Sequence, residues 1–358
     1  DVIAFDKTGT LTLGEPTVND MIARDETGDK LIEEGNAVRN LLEIAANRPE
    51  GLSGLQTGFT DLDKITSGWQ NSDLIIIAAR PAMGKTAFVL SMAKNMAVTY
   101  NYPVALFSLE MSNVQLVNRL IVNTCEIPGE KIKNGQLASY EWEQLDFKIK
   151  ELYDAPLFID DTPSLSVFEL RTKARRLVRE HGVKMLIIDY LQLMNASGMH
   201  FGSREQEVST ISRSLKGLAK ELNIPIIALS QLNRGVESRT GAEGKRPQLS
   251  DRRESGAIEQ DADMVCFIHR PEYYKIFEDE KGNSLLGLAE IIIAKHRNGA
   301  TGDVLLRFKN EFARFQNRED DFGMERNFSS SINSASQQPQ PNDSFNIVPG
   351  MDSNATPF

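Results

Sequence analysis

The sequence is poor in the residues that build disulfide frameworks and metal centres. Its 358 residues include two cysteines and four histidines. Cys125 and Cys266 both lie within apolar runs, which is typical of small core residues in a protein from a reducing compartment. The four histidines are scattered and show no ligand spacing. We therefore expect neither a disulfide nor a cysteine–histidine metal site.

Long apolar runs and a secretory leader are also missing. No stretch approaches the roughly 20 apolar residues of a membrane span, so we expect a cytoplasmic protein with no membrane partner. The net charge of -10 argues against a uniformly basic surface for nucleic acid, although a local basic groove is compatible with it. With 41% hydrophobic and 25% charged residues, the composition is that of an ordinary globular protein with a sizeable core.

The most informative stretch is LIIIAARPAMGKT, which ends at Thr86. An apolar, β-branched run stops at a turn-forming segment, and a helical pattern starts at Ala87, which predicts a strand, a loop and a helix N-terminus. The backbone N–H groups of such a loop, together with the helix dipole, bind phosphate. We expect Lys85 to neutralise the β- and γ-phosphates of ATP and the Thr86 hydroxyl to join the ligands of Mg²⁺. The remaining predicted nucleotide contacts are Arg80, Ala82, Met83, Gly84 and Ala87.

Strand-like and helix-like segments alternate after this stretch. The strands are predicted at Leu74–Ala79, Val104–Leu109, Leu157–Ile159, Met185–Asp189, Pro225–Ser230, Met264–His269, Ala289–Lys295 and Val304–Phe308. The helices are predicted at Ala87–Val98, Asn113–Cys125, Tyr140–Leu152, Val167–Glu180 and Glu207–Leu222. We therefore expect an α/β fold in which helices cover both faces of a mostly parallel sheet, with ligands bound at the carboxyl ends of the strands.

Three of these strands end in residues that suit hydrolysis of a nucleoside triphosphate. Glu110 follows the second strand and is placed to polarise an attacking water. Asp189 ends the apolar run Met185–Asp189, a Walker B pattern, and would bind Mg²⁺ through water. Gln231 directly follows Ser230 at the end of the fifth strand, and its amide can sense the γ-phosphate. Each signal is weak alone, but together with the loop they predict a nucleotide-hydrolysing site.

The two ends of the chain differ from its centre. Residues 1–25 contain DKTGT, which resembles the phosphorylation site of P-type ion-pumping ATPases, with Asp6 as the nucleophile. Nothing else that such a pump needs is present, so we interpret 1–25 as a fragment without activity of its own. Residues 26–50 predict a linker helix, and 51–316 the main domain. From Asn317 to Phe358 the chain is rich in polar residues and predicts a disordered tail.

Six stretches carry a closer resemblance. ARPAMGKT, FSLEMS, IIDYLQLM, ALSQLNRGVE, RESGAIEQDAD and KHRNG are similar to the motor domain of DnaB-type replicative DNA helicases, and the similarity covers about residues 30 to 316. The resemblance implies a RecA-like fold, a homo-hexameric ring, and ATP-driven movement from 5′ to 3′ on single-stranded DNA with unwinding at the replication fork. Primase and a helicase loader are the further partners it implies. The family's helical N-terminal domain has no counterpart here, and the pump-like fragment stands in its place.

The resemblance also assigns roles to residues outside the loop. It implies that Lys295 and Arg297 reach into the neighbouring subunit's site, with Arg297 as an arginine finger. It places Arg253, Glu254 and Gly256 in the loop that contacts DNA. Residues 233–255 hold six basic and four acidic side chains, a local charge of +2 in a chain of -10. Such a basic, glycine-containing stretch suits binding to phosphates without regard to sequence.

Two other functions are compatible with these motifs. A RecA-like strand-exchange protein shares the same core and forms open filaments on DNA instead of closed rings. An inactive fusion product would bind a helicase ring without hydrolysing ATP. The oligomeric form and the rate of ATP hydrolysis distinguish these alternatives from a helicase motor.

Overall fold

The computed structural model of the chain describes residues 52–196, 202–232, 239, 245–251 and 256–319. The fragment at 1–25, the linker helix at 26–50 and all of the predicted tail after residue 319 lie outside the described residues. Among the described residues, no helix is both long and apolar enough to cross a membrane.

In the described part of the chain, nine strands form one sheet in the order β3-β2-β4-β5-β1-β6-β7-β8-β9. The neighbours from β3 to β6 pair in parallel, and those from β6 to β9 pair antiparallel. The strands are β1 Leu74–Ala79, β2 Val104–Ser108, β3 Leu157–Asp160, β4 Met185–Asp189, β5 Ile226–Gln231, β6 Met264–His269, β7 Leu288–His296, β8 Gly302–Lys309 and β9 Arg314–Asn317. The prediction of a mostly parallel sheet is confirmed.

All eight predicted strands are present, but β9 was not predicted. This strand of four residues pairs with the end of β8 and buries Phe315 and Gln316. Its last residue, Asn317, begins the predicted disordered tail but donates to the Gly58 carbonyl over 3.2 Å and accepts from the Thr60 backbone N–H over 3.0 Å. A strand of this length gives too short an alternation to be recognised in the sequence.

The helices lie between the strands, as expected. They are α1 Thr60–Thr66, α2 Lys85–Lys94, α3 Asn113–Cys125, α4 Gly129–Asn134, α5 Ser139–Lys148, α6 Lys150–Tyr153, α7 Val167–His181, α8 Arg204–Leu222 and α9 Gly256–Asp261. A π-helical turn, Asn95–Thr99, extends α2. The five predicted helices are found, the third as the pair α5 and α6. The short helices α1, α4 and α9 were not predicted, because six or seven residues complete fewer than two turns.

The sheet is buried on both faces, which explains the continuous apolar runs of its central strands. Every residue of β1 is buried, and alternate side chains point to opposite faces. Side chains in phase with Ile75 join a core with α1, α2 and α3, and those in phase with Leu74 join a second core with α7, α8 and α9. Cys125 and Cys266 are both buried with free thiols, as the sequence predicts.

Serine caps fix where the larger helices begin. Ser112 and Gln115 form a capping box at the start of α3, and Ser166 and Glu169 form another at the start of α7. At the start of α8, Ser203 Oγ accepts from a backbone N–H in the first turn. Each cap satisfies N–H groups that have no partner within the helix, and it fixes the point at which the chain leaves the sheet edge.

Candidate nucleotide-binding site

The predicted phosphate loop connects the carboxyl end of β1 to the N-terminus of α2. Its backbone takes left-handed conformations at Ala82, with φ 64°, and at Gly84, with φ 93°. Glycine suits the second position for two reasons. The conformation is strained for other residues, and an added Cβ would lie 3.2 Å from the Phe315 ring. The loop therefore turns tightly into a helix of ten residues that has no side-chain cap. The N–H groups of such a helix N-terminus bind phosphate.

Thr86 and Asp189 meet beside this loop. The Thr86 hydroxyl donates to Asp189 Oδ2 over 2.7 Å, and Asp189 is 2% exposed at the end of β4. Burial raises the pKa of the Asp189 carboxyl, and Glu110 raises it further, while the Thr86 hydrogen bond and the Lys85 ammonium lower it. Among the described residues no group of three acidic, histidine or cysteine side chains could hold a metal by itself. One buried carboxylate beside a hydroxyl does fit Mg²⁺, which takes few protein ligands when substrate phosphates supply the others.

Lys85, the first residue of α2, points along the same edge of the sheet. Its Nζ lies 3.4 Å from the Ser230 carbonyl and 5.1 Å from the centre of the Tyr190 ring. Burial lowers the pKa of the Lys85 ammonium, while Asp189 and Glu110 act in the opposite direction. A partly buried ammonium with weak neutral contacts is suited to bind an entering anion.

Glu110 and Gln231 lie at the carboxyl ends of β2 and β5, as the sequence predicts. Ser108, the last residue of β2, pairs with Asp189, and the next backbone N–H donates to the Asp189 carbonyl over 2.8 Å. Glu110 follows directly and is exposed. Gln231 is the exposed last residue of β5 and is in register with Ala79 at the start of the loop. The carboxyl ends of β2, β4 and β5 therefore surround the phosphate loop.

Three of the predicted nucleotide contacts have buried side chains: Arg80, Met83 and Ala87. Arg80 is 6% exposed, and its Nη1 donates to the Leu232 carbonyl over 2.8 Å, which ties the loop to the residue after β5. Met83 is 1% exposed and belongs to the core shared with α2. Any contact from Met83 to a phosphate would therefore come from its backbone, and the Arg80 guanidinium supports the loop and the end of β5. Their roles toward ATP stay predictions.

Arg270 contacts the phosphate loop from the end of β6. The sequence-based predictions did not include this residue. It follows β6 directly, and its Nη1 donates to the Ala82 carbonyl over 3.3 Å. Its guanidinium lies 4.0 Å above the Phe308 ring, and burial lowers the pKa of this group. Phe308 and Phe315 also line the space beside Gly84. The same strand-end reasoning that selects Gln231 would have found Arg270, because β6 is the other neighbour of β1.

An Arg270→Met protein is expected to have a KM for ATP raised by about 5- to 50-fold, with a smaller fall in kcat. Methionine keeps the packing on Phe308 but removes the charged hydrogen bond to the Ala82 carbonyl, an interaction worth about 1.5 to 3 kcal/mol. Steady-state ATPase kinetics measure this, with Arg179→Met on the exposed face of α7 as the control. A KM equal to that of the parent would show that the loop holds its shape without Arg270.

Lys295 and Arg297 lie at the other end of the strands, beside the amino ends of β1 and β6 and not beside the phosphate loop. Lys295 Nζ donates to the carbonyls of Glu259 and Ala262 over 2.5 and 2.8 Å. Arg297 Nη1 pairs with Asp263 Oδ1 over 3.0 Å, and its backbone N–H donates to the Asp263 carbonyl over 2.8 Å. Because β7 runs antiparallel to β6, this end of β7 lies beside the beginning of β6.

This position separates Arg297 from the phosphate loop of its own chain. Asp263 accepts from the backbone N–H of Leu74, the first residue of β1, over 2.9 Å. The loop starts after the sixth residue of that strand, about 17 Å farther along the sheet. The half-exposed Arg297 side chain therefore faces away from its own candidate site. A role as a finger would have to be played in another subunit.

The cluster around Asp263 also contains Asp73 and Lys216. Lys216 forms ion pairs with both carboxylates, which lie beside each other just before β6 and β1. Burial raises the pKa of Asp73 to about 6, the charge of Asp263 raises it as well, and Lys216 and Arg297 lower it. The folded protein therefore disfavours the charged form of Asp73.

An Asp73→Asn protein is expected to be more stable than the parent at pH 8, by about 1 to 3 kcal/mol. The folded-state pKa lies above the unfolded value, so the stability that this group contributes is present below about pH 4 and is lost as the pH rises through about 6. The gain should shrink at about pH 4.5. Denaturant unfolding at both pH values measures it, with the exposed Asp61→Asn as the control. An equal effect at both pH values would contradict the raised pKa.

The predicted DNA contacts lie mostly outside the described residues. This holds for Arg253 and Glu254, whereas Gly256 is the first residue of α9. Two basic residues of the same stretch already have acidic partners. Arg239 donates to Asp251 over 3.1 Å, and Arg246 pairs with Glu290 over 3.0 Å and with Asp303. The local charge of +2 already includes Asp251, but Glu290 and Asp303 lie outside the stretch, so the count overstates the positive charge that Arg246 offers to DNA.

The parallel sheet and the loop at its carboxyl edge define a P-loop nucleotide-binding domain. Residues 54–317 match the family model described as the DnaB-like helicase C terminal domain, and the chain belongs to that family. Solved structures agree. One of them, described as an ATPase domain, matches with a TM-score of 0.71 at 41% identity, over 79% of this chain and 98% of that one. A DnaB-like replicative helicase, studied with its interactions with primase, matches with a TM-score of 0.70 at 41% identity, over 80% of this chain and 66% of that one.

Replicative helicases from bacteria are similar in sequence. The replicative DNA helicase DnaB of Geobacillus stearothermophilus is 50% identical over 278 residues, which are 78% of this chain and 60% of that relative. The replicative DNA helicase DnaC of Bacillus subtilis (strain 168) is 48% identical over 286 residues, which are 79% of this chain and 61% of the relative. The chain thus spans about 60% of the length of these relatives. The predicted family and the RecA-like fold are confirmed.

Proposed function

We propose that this chain is the motor of an ATP-dependent replicative DNA helicase. It moves from 5′ to 3′ on single-stranded DNA as a homo-hexameric ring and unwinds duplex at the fork. The proposal rests on family membership and on one observation about the sheet. Arg297 lies at the end of the sheet opposite the phosphate loop of its own chain, so as a finger it would complete the site of a neighbouring subunit. A closed ring supplies every loop with a finger.

The chain's own residues account for binding and hydrolysis of ATP. The backbone of the loop and Lys85 hold the phosphates, and Thr86 and Asp189 would hold Mg²⁺. When bound, that ion supplies neutralisation of phosphate charge. Glu110 lies at the open edge near Lys85 and Asp189, where its carboxylate accepts a proton from the attacking water. Gln231 is the last residue of β5, and its amide contacts the γ-phosphate.

The partners follow the family. A relative of known structure has been studied for its interactions with primase, and we propose primase and a helicase loader as partners of this chain. Single-stranded DNA is the proposed track, bound through Arg253, Glu254 and Gly256. The two other candidate functions, strand exchange on open filaments and inactive binding to another ring, are alternative outcomes of the experiment that follows.

Strand displacement on tailed duplexes tests the proposal. The purified chain is mixed with forked DNA, or with duplexes that carry only a 5′ or only a 3′ single-stranded tail. We expect ATP-dependent unwinding that requires the 5′ tail. Strand exchange on open filaments seen by electron microscopy would favour the recombination protein. Binding to the tail without hydrolysis or unwinding would favour the inactive product.

An Arg253→Ala protein is expected to bind single-stranded DNA more weakly across all sequences. Each phosphate that is no longer neutralised flattens the dependence of log K on log salt concentration by about 0.7 for a single strand. Affinity for ATP should stay within about twofold of the parent. Titration of fluorescent oligonucleotides at several salt concentrations measures the effect, with Arg179→Ala as the control. An unaltered slope would move the DNA site elsewhere in the chain.

A further inference from the structure

Gln192 bridges two neighbouring strands at the edge of the candidate site. It lies in a single 3₁₀ turn, Leu191–Leu193, which is separated from β4 by one residue. Its Nε2 donates to Ser230 Oγ over 2.9 Å and to the Gln231 carbonyl over 3.5 Å. Its Oε1 accepts from the Gln231 backbone N–H over 3.4 Å. One side-chain amide therefore serves the donor and the acceptor of a strand residue, as a neighbouring strand would.

The bridge lies where the two strands separate. Backbone pairing of β4 with β5 runs only to the pair Ile188 and Ala228. Pairing of β5 with β1 continues farther, to Gln231 and Ala79. Beyond that pair, the Gln192 side chain supplies the hydrogen bonds to β5 that a longer β4 would otherwise make. Without it, the end of β5 would be held by β1 and not by the strand that carries Asp189.

The end of β5 is also where the phosphate loop makes its contacts. The Ser230 carbonyl accepts from Lys85 Nζ over 3.4 Å, and the Leu232 carbonyl accepts from Arg80 Nη1 over 2.8 Å. A bound triphosphate competes with the Ser230 carbonyl for the Lys85 ammonium, because a phosphate is the stronger acceptor. Nucleotide binding therefore changes the forces on this strand end.

A second set of contacts anchors the Gln192 backbone. Its carbonyl accepts from Arg204 Nη2 over 2.5 Å, and Arg204 is the first residue of α8. The same guanidinium donates to the Met194 carbonyl over 3.2 Å and pairs with Glu207. The bridging amide is therefore part of a turn that is held between β4 and α8. Because this turn is held in place, a displacement of β4 is transmitted through the amide to β5.

We propose that Gln192 is a positioning residue that couples the nucleotide site to the stretch 233–255, which follows β5 in the chain. The proposal rests on the proposed function, since it takes 233–255 as the stretch that contacts DNA. Gln192 ties the end of β5, which leads into that stretch, to the turn after β4, so the strand end follows Asp189 and the phosphates when Lys85 changes partner. Neither spacing nor residue type singles out Gln192 in the sequence, because its contacts lie 38 and 39 residues away.

Nucleotide-dependent DNA affinity measures this coupling. Dissociation constants for a fluorescent single-stranded oligonucleotide are determined with a non-hydrolysable ATP analogue and with ADP. For the parent we expect a ratio of about 5 or more, the lower end of typical coupling between two sites. Gln192→Met keeps the length of the side chain and removes its hydrogen bonds. Its ratio should fall to within about twofold of one, while its KM for ATP stays within about threefold of the parent's.

Two controls separate coupling from simple structural support. Gln144→Met removes a bond from Gln144 Nε2 to the Cys125 carbonyl on α3, far from the site, and should keep the parent's ratio. Ser230→Ala removes only the hydroxyl acceptor and should give an intermediate ratio, and it serves as the test if Gln192→Met does not fold. Melting temperatures of all variants are measured alongside.

Each outcome bears on a different claim. A Gln192→Met protein with the parent's ratio overturns the proposal, and so does one that loses affinity for ATP or weakens DNA binding equally with both nucleotides. A parent whose DNA affinity does not depend on nucleotide overturns the proposed function, and the coupling role with it. A ratio near one in a folded variant that still binds ATP supports the coupling role.

Discussion

A Lys85→Ala protein is expected to hydrolyse ATP at least about 10²- to 10³-fold more slowly than the parent, the usual cost of removing one aligned charge at a reacting phosphate or oxyanion. Lys85 is the first residue of the helix that ends the phosphate loop. Its ammonium contacts the Ser230 carbonyl and the Tyr190 ring, which are both neutral. Its charge is thus available to the β- and γ-phosphates.

The fold should survive this substitution. Burial lowers the pKa of Lys85, which means that holding the charge costs stability in the free protein. Its removal relieves that cost and leaves both cores untouched. Phosphate release and thermal unfolding are measured together, with Lys64→Ala on the exposed face of α1 as the control. Hydrolysis within a few-fold of the parent would mean that this loop is not the nucleotide site.

Mixed assemblies should recover activity that neither variant has alone. Glu110→Gln removes the group proposed to activate water, and Arg297→Ala removes the proposed finger, which is worth about 10³ to 10⁵ in kcat when supplied by a neighbour. Each protein alone should be nearly inactive. Because Arg297 cannot reach the loop of its own chain, some interfaces in a mixed ring pair an intact Glu110 with an intact Arg297. ATP hydrolysis should then partly return.

The mixing experiment also separates two explanations of a negative result. Mass measurement first confirms that the two variants share one assembly. If activity does not return, a series of rings with a small fraction of Arg297→Ala subunits is compared with the parent. A steep loss of activity would mean that the sites hydrolyse ATP in a coordinated order, so that one defective site stops the ring. A proportional loss without complementation would show that Arg297 does not act on a neighbouring site.

The ion pair with Asp263 is the position that Arg297, the proposed finger, takes in the free subunit. Asp263 is 3% exposed and also binds Lys216 and the Leu74 backbone, so it belongs to the framework of the sheet edge. Arg297 is half exposed and can leave this carboxylate when a stronger anion approaches. Residues that hold the finger in the free subunit are thus different from those it would meet across an interface.

Local sequence signals predicted the framework of the site. Each signal is a short, continuous segment of sequence: the β-branched run before the loop, or an apolar strand with its polar last residue. A parallel sheet then brings the ends of these strands together by geometry alone. That is why Lys85, Glu110, Asp189 and Gln231 were found at one edge. The short helix α1 and the last strand, β9, were missed because each is too brief to show a period.

Strand-end reasoning can select such a residue as Arg270, but it cannot predict which distant residue the side chain contacts. Arg270 meets the Ala82 carbonyl across 188 positions, and Arg80 meets Leu232 across 152. Nothing in the composition of either segment identifies the partner. Charge counting had the same weakness, since it treated Arg246 as available to DNA although Arg246 pairs with Glu290 and Asp303 outside the counted stretch. Tertiary ion pairs decide which charges a surface offers, and only the folded chain shows them.

Hydrolysis of ATP by fractions of known mass tests the central claim most directly. The chain is separated by size with light scattering, and each fraction is titrated with single-stranded DNA while phosphate release is followed. A motor whose sites are completed between subunits predicts hydrolysis confined to the oligomer and rising with DNA. A monomer that hydrolyses ATP as fast as the oligomer, with no response to DNA, would contradict it.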